Sequence, residues 1–220
     1  MMTAIEEARE HILWGCKTMC ERGYVLGTAG NISARVRDAD LFIITPTTLP
    51  YDELTAADLV VVDMDGAVVT GARKPSMEYM MHRNILAARP DVECVVHTHS
   101  KFATAASSME GVRSVPVIDI ETAMYIGGEV AVAPFAPPGS ADLAAAAARS
   151  LGDLAGVLLE GHGAISVGQT MKEAMTAGDI LERNCEMFLL IRAAGTVRPL
   201  PPGPLRDLCA YSREKRGLNS

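Results

Sequence analysis

The sequence predicts an α/β fold in which helices pack against one mostly antiparallel sheet. Short apolar runs come in pairs joined by tight turns, as at 60–62 and 67–69 around Asp65-Gly66. Two long stretches read as helices, 3–22 by its apolar spacing and 171–193 by the capping box Thr170-Met171-Lys172-Glu173 at its start. Such hairpins outnumber the strand–helix–strand units that build parallel sheets.

Ile5, Ala8, Ile12, Cys16 and Met19 recur at helical spacing in the first helix, and Gly23 ends it. Gly27-Thr28-Ala29-Gly30-Asn31 is loop chemistry leading into a strand at 32–36, whose hairpin partner is 41–44. Pro46 and Pro50 stiffen the turn-rich loop 45–50. After the 60–69 hairpin, Ser76 is placed to cap a helix over 77–88, which stops before Pro90. The strand 94–98 follows, then a short helix capped by Ser100 and running through Ser107, and a strand at 115–119. Pro137-Pro138-Gly139-Ser140 leads into an alanine-rich helix, 141–150. Strands 156–160 and 164–167 are joined by Gly161-His162-Gly163. A proline-rich linker then precedes a short tail helix, both within about 196–220. The whole of 1–220 reads as one domain, without internal repeats.

Composition narrows the function. Apolar residues make up 49% of the chain, enough for a sizeable core, yet no apolar run approaches the roughly 18 residues of a membrane span. The first residues mix acids with small side chains and lack a signal-peptide pattern, so a cytoplasmic location is expected. A net charge of −7 with dispersed basic residues disfavours nucleic acid as a partner. The five cysteines show no CxxC pair and read as reduced core thiols.

Chemistry concentrates in Val95-Val96-His97-Thr98-His99-Ser100. Side chains two apart on a strand share a face, so His97 and His99 project together, close enough to share a metal. As structural residues, two buried imidazoles would each need hydrogen-bond partners. His162 sits between glycines that let the backbone turn tightly. Beside the His-x-His pair it supplies the third nitrogen of a tetrahedral site with one open position. His82, four residues after Glu78, reads as a helix-surface or packing residue, with a place behind the site as the other reading. His11 reads as non-catalytic. Glu78 by its own position is a first-turn carboxylate complementing the helix dipole.

Gly27-Thr28-Ala29-Gly30-Asn31-Ile32-Ser33, Ile44-Thr45-Pro46-Thr47, Lys74-Pro75-Ser76-Met77-Glu78, His97-Thr98-His99-Ser100 and Gly161-His162-Gly163 occur in an order that resembles the class II sugar-phosphate aldolase and adducin-head family. The likeness covers roughly 5–195. It implies a three-layer fold assembled as a homotetramer, with sites between subunits. It implies zinc (manganese, cobalt or iron being alternatives) on His97, His99 and His162, with Glu78 as acidic ligand and proton-transfer group. It also implies a phosphate pocket from Gly30, Asn31, Thr47 and Ser76, positions whose N–H groups and hydroxyls suit an anion. Tyr211 resembles a C-terminal tyrosine that reaches a neighbouring subunit's site. The implied activity is retro-aldol cleavage of a ketose 1-phosphate, of fuculose-phosphate or 5-deoxy- or methylthio-pentulose-phosphate type, to dihydroxyacetone phosphate and an aldehyde. Decarboxylation of a 3-oxo acid is the runner-up.

The chain departs from the family pattern in several places. Met77 replaces a second serine, and Thr48 replaces a glycine. Epimerase members carry Asp where Glu78 stands, and their catalytic Asp falls on Met124, which argues against ribulose-5-phosphate 4-epimerase. A noncatalytic adducin-like head would have no need of the histidine set. In the segment before residue 127 the aldolase tyrosine is out of step by about one residue, with Tyr125 as the candidate.

Overall fold

The two faces of a nine-stranded sheet are covered by different helices, and the alternation along each strand decides which residues meet them. The computed structural model describes residues 3–218. The strands are β1 (Asn31–Val36), β2 (Leu41–Ile44), β3 (Val60–Asp63), β4 (Val68–Thr70), β5 (Cys94–Thr98), β6 (Ser114–Val115), β7 (Val130–Ala133), β8 (Gly156–Leu159) and β9 (Gly163–Gly168). They lie in the order β4-β3-β2-β1-β5-β9-β8-β7-β6. The helices are α1 (Ala4–Glu21), α2 (Tyr79–Ala88), α3 (Lys101–Ser107), α4 (Ala141–Leu151), α5 (Met171–Ala194) and α6 (Pro202–Lys215). Among the described residues no helix is long and apolar enough to cross a membrane.

On one face Ile32, Ala34, Ile43, Val61 and Val96 pack with α1 and with Met171 and Met175 of α5. On the other, Phe42, Ile44, Val60, Val62 and Val95 pack with Met81, Ile85 and Leu86 of α2. Successive strand residues point to opposite faces, so each strand feeds both cores. α3 joins α1 and α5 on the first face, and α4 joins α2 on the second. The expected three layers are present. Each adjacent strand pair is antiparallel except β7 and β8, which α4 connects as a parallel crossover.

Several boundaries differ from the sequence expectation. Thr170 accepts from the Glu173 amide, but the Glu173 carboxylate accepts from Gln169 N rather than closing the box on Thr170. The strand expected at 115–119 has two residues, because Pro116 carries no N–H to continue the ladder. The helix expected to start at Met77 starts at Tyr79, with Glu78 and not Ser76 at the N-cap. The chain through Pro75 and Ser76 instead crosses the 45–47 loop. Thr47 N donates to Lys74 O (3.1 Å) and Ser76 N to Thr45 O (3.0 Å), which flank a bridge between Pro46 and Pro75.

A π-helical turn, Thr122–Ile126, precedes β7, and Gly127 closes it at φ +93°. Such a turn takes up one extra residue relative to an α-helical one.

Thr48 stands at φ +57°. A β-branched side chain in this left-handed region clashes with its own backbone, at a cost of about 1–2 kcal/mol. Replacing it with glycine is expected to raise the unfolding free energy by about 1 kcal/mol after glycine's own entropy loss. A urea titration reads this, and an unchanged or lower midpoint for Thr48→Gly would refute the strain.

Candidate metal centre

β5 ends at the centre of the sheet, and its last side chains on the α2 face build the site. His97 faces the same way as Val95 and is fully buried. His97 pairs across with Asn31 of β1 and Ile165 of β9. Its Nδ1–H donates to Ala164 O (3.0 Å). The ring's Nε2 is therefore the lone-pair nitrogen. It lies 3.1 Å from Nε2 of His99 and 3.2 Å from Oε2 of Glu78.

His162 enters from the β8–β9 turn. Gly161 takes φ +63°, and His162 N donates to Leu159 O (3.1 Å). A Cβ on Gly163 would lie 2.2 Å from Thr98 O, so only glycine lets β9 start beside the end of β5. The expectation that these glycines permit close approach holds. The three imidazole rings stand edge to face, with centroids 4.8–4.9 Å apart. Each histidine offers a ligand nitrogen within 4.8 Å of the others, a group able to hold a metal ion.

Glu78 comes from the start of α2, nearly buried. Its Oε1 lies 3.5 Å from His162 Nε2 and has no hydrogen-bond partner. Burial pushes its carboxyl up, but its contacts with the His97 imidazole and the Asn31 amide hold it well below the usual carboxylate range. Burial lowers His99 to about 4, assisted by the neighbouring imidazoles, and lowers His162 in the same way. Neutral imidazoles and an ionised carboxylate are the forms that ligate a metal. The fit to a divalent cation rests on these atoms: imidazole lone pairs and a carboxylate converge, including one orphaned buried oxygen.

The structure brings together His97, His99, His162 and Glu78. Gly30, Thr47 and Ser76 are collected nearby by the strand and proline bridges. Gly30 takes φ +74°, where a Cβ would meet His97 O at 2.6 Å. The Tyr51 hydroxyl donates to Gly30 O (2.6 Å) and fixes the loop. The amides of Thr47 and Ser76, expected to be free for an anion, are used in the cross-bridge, so their hydroxyls remain. The Ser76 hydroxyl accepts from Glu78 N (3.3 Å). The side chain of Asn31 turns to Glu78 and His82: Nδ2 donates to Glu78 Oε2 (2.9 Å), and Oδ1 faces His82 Nε2 (2.5 Å). His82 is fully buried, which corrects the helix-surface reading.

Tyr211 lies elsewhere within the chain. α6 is tied to the far end of β9 through Gln169 to Arg216 O (3.2 Å) and Arg213 to Asp153 (2.8 Å). Tyr125 stands in the same region, with the Lys215 ammonium 5.6 Å from its ring centroid. Both tyrosines are exposed.

A sheet centre carrying three converging histidines and a loop carboxylate defines a metal-site α/β protein. The chain belongs to the class II aldolase and adducin N-terminal domain family, whose model matches residues 10–189. It is 33% identical to a 5-deoxy-D-ribulose 1-phosphate aldolase of Bacillus thuringiensis over 93% of this chain and 94% of that one. It is also 33% identical to the L-fuculose phosphate aldolase of Escherichia coli K12 over 79% of each chain. Among solved structures it resembles an L-fuculose 1-phosphate aldolase with a TM-score of 0.87 and 28% identity, covering 93% of this chain and 95% of that one.

Two outcomes follow from this geometry. Protein purified without chelators is expected to carry about one divalent metal per chain by elemental analysis, and His97→Ala to lose most of it. Full retention in that variant would exclude the centre. Burial lowers His82 from 6.5 to about 3. Below pH 6.5 the unfolded chain takes a proton that the folded chain refuses. Stability is then lost as pH falls from 6.5 towards 3, by roughly 1.4 kcal/mol per unit for this residue. Urea midpoints at pH 7, 6 and 5 should fall more steeply for the parent than for His82→Gln, and equal slopes would count against it.

Proposed function

We propose that the chain is a metal-dependent aldolase that cleaves a ketose 1-phosphate to dihydroxyacetone phosphate and an aldehyde. The observation that carries this is Glu78, a buried carboxylate with one unpartnered oxygen set against three imidazoles. The names of the curated relatives, 5-deoxyribulose and fuculose phosphate aldolases, favour it over decarboxylation.

His97, His99 and His162 would hold the ion, zinc by its liking for such nitrogen sets, with Glu78 completing the group. The ion supplies Lewis acidity that stabilises the negative charge left when the carbon–carbon bond breaks. Glu78, ionised at rest, takes up the proton that the substrate hydroxyl releases as the aldehyde forms, and delivers it to the substrate carbon that the broken bond leaves behind, a general-acid step. Gly30, Thr47 and Ser76 offer backbone and hydroxyl contacts to the phosphate, with Asn31 shaping that wall through Glu78. Tyr211 of a second copy relays the proton off the hydroxyl that becomes the aldehyde oxygen, and donates one to that oxygen in the reverse, addition direction; a second copy is needed because its own chain anchors α6 away from the histidines. That reading calls for an assembly with shared sites, a homotetramer, in the cytoplasm.

Incubation with a panel of ketose 1-phosphates should release dihydroxyacetone phosphate, whereas carbon dioxide from 3-oxo acids would favour the decarboxylase instead. Glu78→Gln should lower kcat by about 10²–10⁴-fold with metal still largely bound. Unimpaired turnover in that variant would remove Glu78 as the proton carrier.

A further inference from the structure

Behind Glu78 a chain of buried polar side chains runs into the layer between β1 and α2. Asn31, Ser33 and His97 share one face of the sheet, while Ile32 and Ala34 pack on the other. Ser33 and His82 are fully buried, and Asn31 is nearly so. Ser33 Oγ lies 2.7 Å from His82 Nδ1, His82 Nε2 lies 2.5 Å from Asn31 Oδ1, and Asn31 Nδ2 lies 2.9 Å from Glu78 Oε2.

The direction of every bond follows from the last one. An ionised carboxylate only accepts, so Asn31 turns its NH2 to Glu78. Its carbonyl oxygen then faces His82 and needs a donor, which makes Nε2 the protonated nitrogen of a neutral ring. Nδ1 is left as an acceptor, and the Ser33 hydroxyl donates to it. With the opposite tautomer, a bare Nε2 would face a carbonyl at hydrogen-bond distance. The amide would have to reverse and present its oxygen to Glu78.

We infer that His82 is a positioning residue: with Ser33 it fixes the Asn31 amide so that the NH2 pins Glu78 Oε2, leaving Oε1 as the oxygen turned to the reacting centre. The role of Glu78 in this inference rests on the proposed function, while the direction of the hydrogen-bond chain does not. Oε1 is the carboxylate oxygen without a partner, as this division requires. A free carboxylate can rotate to exchange its oxygens. A donor held at one oxygen by a buried ring and hydroxyl removes that freedom.

The deciding measurement is a multiple-bond 1H–15N spectrum of the metal-free full-length protein at pH 7, with the His82 signals identified by their loss in His82→Gln. A neutral ring protonated at Nε2 is expected. A ring protonated at Nδ1 would overturn the inference. This spectrum needs neither metal nor substrate, so it reports on the hydrogen-bond direction even if the protein cleaves no ketose phosphate. A second measurement tests the consequence, using chelator competition for zinc alone. His82→Leu, which cannot donate to Asn31, is expected to bind zinc about 10–100-fold more weakly. His82→Gln keeps an N–H donor at that place and should recover most of the loss. Thermal melts of both variants establish that they are folded. Equal losses in two folded variants, or no loss in His82→Leu, would show that His82 only fills space.

Discussion

Four acceptor groups face one another at the end of β5, and their mutual repulsion governs what the surrounding chain must do. His97 spends its only N–H on Ala164 O and meets His99 with a lone pair at 3.1 Å. Glu78 adds negative charge to the same space. Such a cluster is costly alone and favourable around a cation, so the scaffold has to hold it together in either state. The ladders to β1 and β9 do this for His97, and His99, one residue past β5, is held by its amide, which donates to Tyr24 O (3.1 Å). Gly163 lets His162 join by removing the side chain that would strike Thr98 O.

The same face explains why β1 looks polar although it is buried. Asn31 and Ser33 alternate with Ile32 and Ala34, so one edge of the pattern serves the apolar core under α1 and the other serves the site. Burying Asn31, Ser33 and His82 would cost several kcal/mol if their groups were unpaired. They satisfy one another in a line that ends on Glu78. That line joins α2 to β1 beside the histidines.

The histidine pair was legible because a period of two sets both rings of His-x-His on one face of an otherwise apolar strand, where imidazoles need a partner. The Gly-His-Gly turn was legible from the freedom of glycine. His82 was hidden because spacing along α2 tells which face a residue takes, not what lies opposite. The signal was present in β1, where two polar residues on a buried strand required a partner. The π-helical turn was not legible, since one additional residue leaves no periodicity of its own. The amides of Thr47 and Ser76 were misread as free for a related reason. Loop residues look free until another loop crosses them, and the bridge between Pro46 and Pro75 joins segments about thirty residues apart in sequence.

Glu78 shows how the site takes a residue away from ordinary helix chemistry. A carboxylate at the N-cap would normally accept from the first-turn amides and stabilise the helix by about 1 kcal/mol. Here the N-cap backbone sits at φ −96°, ψ 13°, and the side chain makes no capping bond. It turns inward to His97, His162 and Asn31 instead. The Ser76 hydroxyl accepts from the Glu78 amide, which compensates for part of the missing cap. His97 is fixed by strand ladders and His162 by a glycine-flanked turn, whereas Glu78 is fixed by a crossed loop and one amide. The Glu78 carboxylate therefore depends on that amide for its placement, while backbone holds the imidazoles. The constraint on Asn31 then matters more than the backbone of Glu78 itself, since it decides which oxygen is left to move.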